Sequence, residues 1–224
     1  INSRRERLND QTTAIEQAIT TNDIPGEEGE KADKRLEAIE YLLANGADPN
    51  TLDDDGQPIL YLAIENSYND PRVVMSLIEH GADTSNPDKK TGQTPFFQVV
   101  RHADKALLLS FLTGADGIDI EVTDPEGNTA LHVYFKENSY FDISYIRATV
   151  ALGVPLEPTN NEGKSVLDIL NEKRNELEDE YAVGQLDEVI ELISDESISS
   201  AHGILSRVAS SPEELVSQGK AHVE

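Results

Sequence analysis

The chain has 224 residues, 38% of them hydrophobic and 27% charged, enough apolar mass for a substantial core and too much for a wholly disordered chain. Its 18 Lys and Arg face 43 Asp and Glu, and the formal charge of −25 repels phosphate and anionic headgroups; this sets nucleic acid and membrane aside as partners and favours a basic protein surface. With no cysteine, disulfides, thiolate metal sites and cysteine nucleophiles are excluded.

No stretch reaches the roughly eighteen apolar residues of a membrane span. The segment Ile1–Leu8 carries three arginines and lacks the apolar core of a signal peptide, and a start at Ile1 rather than methionine suggests a processed or trimmed piece. A first helix is expected near Gln11–Thr21 and a second near Lys34–Asn45, joined by the acidic, glycine-containing insert Asn22–Asp33, which reads as an exposed loop. The second helix carries Leu36, Ile39, Leu42 and Leu43 at helical spacing, one buried stripe. Val73, Val74, Leu77 and Ile78 form the same stripe farther along.

From Gly56 onward the sequence repeats itself. Gly56, Gly92, Gly127 and Gly163 are separated by 36, 35 and 36 residues, and each opens a similar run: GQPILYLAI, GQTPFFQVV, GNTALHVYF and GKSVLDIL. A second series runs in step, Gly46-Ala47-Asp48, Gly81-Ala82-Asp83, Gly114-Ala115-Asp116 and Gly153-Val154-Pro155. Two series in register define a unit of about 35 residues. Thr94 and Thr129 suit helix N-caps, and Pro95 sits where a missing donor costs nothing. Gly46, Gly81, Gly114 and Gly153 suit left-handed C-caps. The turns Asp54-Asp55-Gly56, Lys90-Thr91-Gly92, Pro125-Glu126-Gly127 and Asn161-Glu162-Gly163 bring the chain round to the next helix.

These residues resemble the ankyrin repeat, most closely at Thr94-Pro95-Phe96-Phe97 and Thr129-Ala130-Leu131-His132. The resemblance covers roughly Gln11 to Ser194. It implies an all-α fold: an ankyrin-repeat solenoid of about five stacked helix-turn-helix units with projecting loops and a helical C-terminal cap. Residues 1–52 read as an N-terminal capping repeat with the inserted loop 22–33, and residues 53–159 as three repeats. Residues 160–194 read as a degenerate repeat, in which an overlong helix running into Asn171–Glu180 pairs with Gln185–Ser194. Residues 195–224 read as a helical cap and tail, with Ile198–Val208 as a further helix and Pro212-Glu213-Glu214-Leu215 as another helix start.

Two departures from the family pattern stand out. Glu65-Asn66-Ser67-Tyr68-Asn69-Asp70 and Glu137-Asn138-Ser139-Tyr140-Phe141-Asp142 are nearly the same insertion, which suggests duplication of a two-repeat block. Where the family places two alanines, this chain has Ala63-Ile64, Val99-Val100 and Tyr134-Phe135, so bulk should widen the helix spacing or alter the curvature there.

No catalytic constellation emerges. His132 occupies the family's structural histidine position, and His80, His102, His202 and His222 lack metal-binding spacing. Asp53-Asp54-Asp55-Gly56 is out of register for a calcium loop and reads as a solvated turn. Neither phosphate-binding glycine motif occurs, nor a G-x-S-x-G elbow. Neither a cofactor nor enzymatic activity is expected.

The resemblance instead implies a concave groove lined by loops and first helices. Its variable positions map onto Asp54, Asp55, Gln57, Tyr61 and Glu65, then Lys89, Lys90, Gln93, Phe97 and Arg101, then Glu126, Asn128, Lys136 and Glu137. Tyr61 and Phe97 are equally readable as core, whereas Tyr68 and Tyr140 at the insertion tips read as exposed contacts. The expected function is non-catalytic binding of another protein, with a basic segment as the complement, by a cytoplasmic monomer. The alternative is a recruiting domain of a larger enzyme, or of an effector similar to those that intracellular bacteria inject into host cells; the location would then be the host cytoplasm.

Overall fold

A computed structural model describes residues 14–21, 27–53, 56–66, 70–114, 118–138 and 140–194. Ten helices and no strand occur among the described residues. They are α1 (residues 14–20), α2 (Glu28–Ala44), α3 (Ile59–Glu65), α4 (Arg72–Glu79), α5 (Pro95–Arg101), α6 (Lys105–Gly114), α7 (Ala130–Glu137), α8 (Ile143–Ala151), α9 (Val166–Glu176) and α10 (Glu180–Ser194). The fold is an all-α repeat. The expected helices beyond residue 194 lie outside the described residues.

Two compact units meet in sequence at Pro125 and Glu126. In the first, α3 packs on α5, while α2 packs on α4 and α4 on α6. First helices thus make one layer and second helices another. Their facing sides bury Ile39, Leu60, Val74, Leu77, Phe96, Val99, Leu108 and Phe111, each side chain contributing about 1.5–3 kcal/mol by leaving water. In the second unit α7 packs on α9, and α8 and α9 pack on α10.

The second helices stop by one recurring device. Gly46 (φ 91°), Gly81 (φ 94°) and Gly153 (φ 92°) are left-handed, and each donates to the carbonyl three residues back while the next residue donates five back. The pairs are Gly46 to Leu43 with Ala47 to Leu42, Gly81 to Ile78 with Ala82 to Leu77, and Gly153 to Val150 with Val154 to Thr149, all between 2.9 and 3.3 Å. This is the Schellman pattern. Gly114 departs from the expectation: it is the last helical residue of α6, outside the left-handed region. A Cβ there would lie 1.8 Å from Met75 Cε, so its glycine serves side-chain packing instead.

Two further expectations are corrected. The insert expected as a loop through Asp33 is already helical from Glu28, because acidic residues favour a helix N-terminus and Glu30 reaches Lys34 one turn on at 4.0 Å. Helix α10 begins at Glu180 rather than Gln185, because the Asp179 carboxylate accepts the Tyr181 and Ala182 amides at 2.8 and 3.4 Å. The insertion after α7 is not simply a loop. Phe141 is buried and joins Tyr134, Phe135 and Tyr145 in an aromatic cluster with ring centroids 5.1–6.1 Å apart. The bulk at Tyr134-Phe135 is thus matched by a ring that the insertion supplies.

Candidate partner-binding surface

The turns before α3, α5 and α9 are held from inside by a short acid or amide. Asp53 Oδ1 accepts the Gln57 amide at 2.8 Å. Asp88 Oδ1 accepts the Lys90 and Thr91 amides at 3.0 and 2.7 Å and the Thr91 hydroxyl at 2.8 Å. Asn160 Oδ1 accepts the Glu162 and Lys164 amides, both at 3.0 Å. Burial would raise the Asp88 carboxyl, but its Thr91 and Lys90 donors outweigh burial and hold it below the usual carboxylate range. The chain then passes through a left-handed glycine. At Gly92 (φ 69°) a Cβ would also come within 2.6 Å of Pro125 Cγ, so that turn needs glycine twice over. Asp88 and Asn160 are consumed in their turns, and the turn residues Lys89, Lys90, Glu126 and Glu162 stand exposed.

A second contact ties α3 and α7 to the following turn. His132 is fully buried on α7. Its Nδ1 faces the Thr129 amide at 3.2 Å and hydroxyl at 2.8 Å, and its Nε2 lies 3.1 Å from the Lys164 carbonyl. A carbonyl only accepts, so Nε2 carries the proton and Nδ1 receives the Thr129 donors. Tyr61 holds the corresponding position on α3. Its hydroxyl donates to the Gln93 carbonyl and accepts from the Asp88 amide at 3.0 Å, and burial pushes its phenol well above the ordinary value. Phe97 has the same place on α5 but no polar atom, and in that repeat the buried Thr94 hydroxyl has no partner.

These contacts decide which predicted site residues are available to a partner. Tyr61 and Phe97 are 0% and 1% exposed and belong to the core. Gln93 and Asn128 are also buried, at 7% and 5%; Gln93 Oε1 accepts from Arg101 at 3.2 Å and Asn128 Oδ1 from Asn160 at 2.9 Å. Their side chains hold turns and helices together. Gln57 and Arg101 are half-buried, whereas Glu65, Lys89, Lys90, Glu126, Lys136, Glu137 and Tyr140 are exposed, Tyr140 at 77%. Asp54, Asp55 and Tyr68 lie outside the described residues. The exposed set falls on loop tips and helix ends: Lys89 and Lys90 with Glu65 in the first unit, and Glu126 with Lys136, Glu137 and Tyr140 in the second.

Two contacts between helices were not expected from sequence. Lys173 on α9 donates to the carbonyls of Phe135 at 3.0 Å, Lys136 at 3.3 Å and Asn138, which end α7, and lies 5.7 Å above the Phe141 ring. Burial holds its ammonium below the ordinary lysine range. His102 reaches the Glu65 carbonyl that ends α3 at 3.3 Å. Both lie ten residues after their turn glycine, a signal that becomes visible once the repeats are aligned on Gly92 and Gly163.

Paired helices, an internally braced turn and a polar clasp define a helical-repeat protein. Residues 31–124 match a family model described as ankyrin repeats, three copies. A stretch of 108 residues is 30% identical to the nuclear factor NF-kappa-B p105 subunit of Gallus gallus, covering 47% of this chain and 11% of that protein. Residues 31–124 are thus similar to ankyrin repeats. Ankyrin repeats mediate protein–protein interaction and are typically non-catalytic. Among the described residues no helix is long and apolar enough to cross a membrane.

Proposed function

We propose that the chain binds a partner protein through its exposed turn tips and first-helix ends, and that the complementary segment is basic. The observation that carries this reading is the internal bracing of the turns. Because Asp88 and Asn160 spend their oxygens on backbone amides, the adjoining exposed side chains are held on ordered backbone and lose little freedom on binding. The formal charge of −25 gives a basic partner long-range attraction. Exposed Tyr140 offers aromatic contact area, the commonest kind of interface anchor.

The test is affinity capture with the full chain, followed by Kd measurement on the recovered partner. The variants are Glu126→Lys with Glu137→Lys, and Tyr140→Ala. Loss of about tenfold or more in affinity for the charge variant is expected, together with weakening as salt rises. Unchanged affinity of both variants would remove the tips from the interface. Replacing Tyr61 or Phe97 instead would test the core.

A further inference from the structure

The second helices of the first unit carry a cleft that the turn-tip surface does not use. Leu36 and Glu40 of α2 form one wall, and Met75, Ser76 and Glu79 of α4 form the floor and the other wall; the volume is about 270 Å³. Leu36, expected in the buried stripe, is only half-buried because it faces this space. Ser76 is 4% exposed, yet its hydroxyl has no hydrogen-bond partner. The accepting capacity of this hydroxyl is unspent, and rotation about χ1 would bring it to the cleft.

The charge around the cleft fixes what donor suits it. Glu40 and Glu79 line it and are exposed. The one lining cation, Arg72, is already committed: its guanidinium donates to Asp33 at 2.8 Å and to both Asp70 oxygens at 2.7 and 2.9 Å. With the Arg72 charge met by Asp33 and Asp70, Glu40 and Glu79 leave the cleft lining negative. The volume falls just below the range of pockets that enclose small-molecule ligands, which suits one long side chain. Leu36 and Met75 offer apolar surface to an aliphatic stem. Two carboxylates and a hydroxyl offer separate acceptors to the three donors of an ammonium, whereas a planar guanidinium fork favours a single carboxylate.

We infer that this cleft is a second recognition site, which seats a lysine side chain from a basic segment of a partner protein. Its stem lies along Leu36 and Met75, and its ammonium meets Glu40, Glu79 and the Ser76 hydroxyl, which turns about χ1 to accept. The inference stands independently of the turn tips, and the two can fail separately.

The test is an amide-shift titration of the ¹⁵N-labelled full chain with an acetylated, amidated alanine pentapeptide that carries one central lysine. The same peptide with Nε-acetyl-lysine or arginine is the comparison. Saturable shifts are expected at Glu40, Ser76 and Glu79, absent with acetyl-lysine and weaker with arginine. Ser76→Ala removes an unsatisfied group, so it folds at least as well as the parent, yet it should weaken the lysine peptide about tenfold. Glu40→Gln with Glu79→Gln should abolish saturation, while Lys89→Glu with Lys90→Glu should leave it unchanged. No saturable binding would overturn the inference, as would shifts confined to the turns or full affinity in Ser76→Ala. An equal loss in the distant Glu188→Gln, Glu191→Gln variant would reduce the effect to general acidity and overturn it too.

Discussion

Replacing His132 by phenylalanine copies into α7 what the chain already has at Phe97. The ring volume is roughly kept, so the change isolates polar contacts in a fully buried site. Nδ1 is the acceptor for the Thr129 amide and hydroxyl, and Nε2 the donor to Lys164. The Lys164 carbonyl keeps the Asn160 amide at 2.9 Å and is not stranded; that half of the loss costs about 1 kcal/mol. The Thr129 amide loses its acceptor inside the core, which costs a further 1–3 kcal/mol or so. The expected destabilisation is therefore about 2–4 kcal/mol. Tyr61→Phe should cost less, about 0.5–1.5 kcal/mol, because the Asp88 amide still donates to the Gln93 carbonyl at 2.8 Å and no donor is stranded. Urea unfolding followed by far-ultraviolet circular dichroism, with slopes compared to detect loss of two-state behaviour, measures both. An effect of His132→Phe smaller than that of Tyr61→Phe would refute the assignment of Nδ1 as the acceptor that closes the turn.

Other consequences can be read with the same assay. Gly92→Ala combines a left-handed backbone with a 2.6 Å approach to Pro125 and should cost more than Gly163→Ala, which has φ 75° but open space around it and should lose about 1 kcal/mol. Lys173→Met keeps the stem but removes the ammonium from the α7 carbonyls; melting in the second unit should come at lower denaturant, as judged by fluorescence of the tyrosine cluster. Asp88 has a depressed carboxyl, so its stabilising effect is whole above its unfolded value of about 3.9 and is lost as pH falls through its lower folded value. The stability gap between parent and Asp88→Ala should accordingly be constant from neutral pH to about 4 and close below it; a gap that closes between pH 5 and 7 would point to another group.

What was legible in the sequence follows from which features repeat. Turn glycines and C-capping glycines recur because a left-handed backbone is needed at the same place in each unit, and Gly46, Gly81 and Gly153 meet that need with the same two bonds. Thr129 and His132 were legible as a pair because both residue types match the family signature. Tyr61 was harder to place. Its side chain differs from histidine, although its hydroxyl reaches the following turn from the same position. Phe97 kept only the shape, and nothing in the local sequence shows that an apolar ring there leaves the Thr94 hydroxyl without a partner.

The proposed recognition surface was less legible because exposure depends on contacts between residues about thirty apart. Gln93 and Asn128 occupy positions that vary in the family, yet they are consumed by Arg101 and Asn160. Tyr140 and Phe141 are neighbours in one insertion, one exposed and the other buried, a division set by the space beside Tyr134 and Tyr145. The cleft between Leu36 and Glu79 depends on how α2 and α4 pack, and no local pattern marks it.

Exposed tips on braced turns are the proposed carriers of recognition. Isothermal titration of the captured partner against the parent chain and the Glu126→Lys, Glu137→Lys variant, at two salt concentrations, tests this most directly. Binding by the variant should be at least about tenfold weaker at low salt, with the difference shrinking as salt rises. Equal affinities at both salt concentrations, with the variant folded, would contradict this role of the tips.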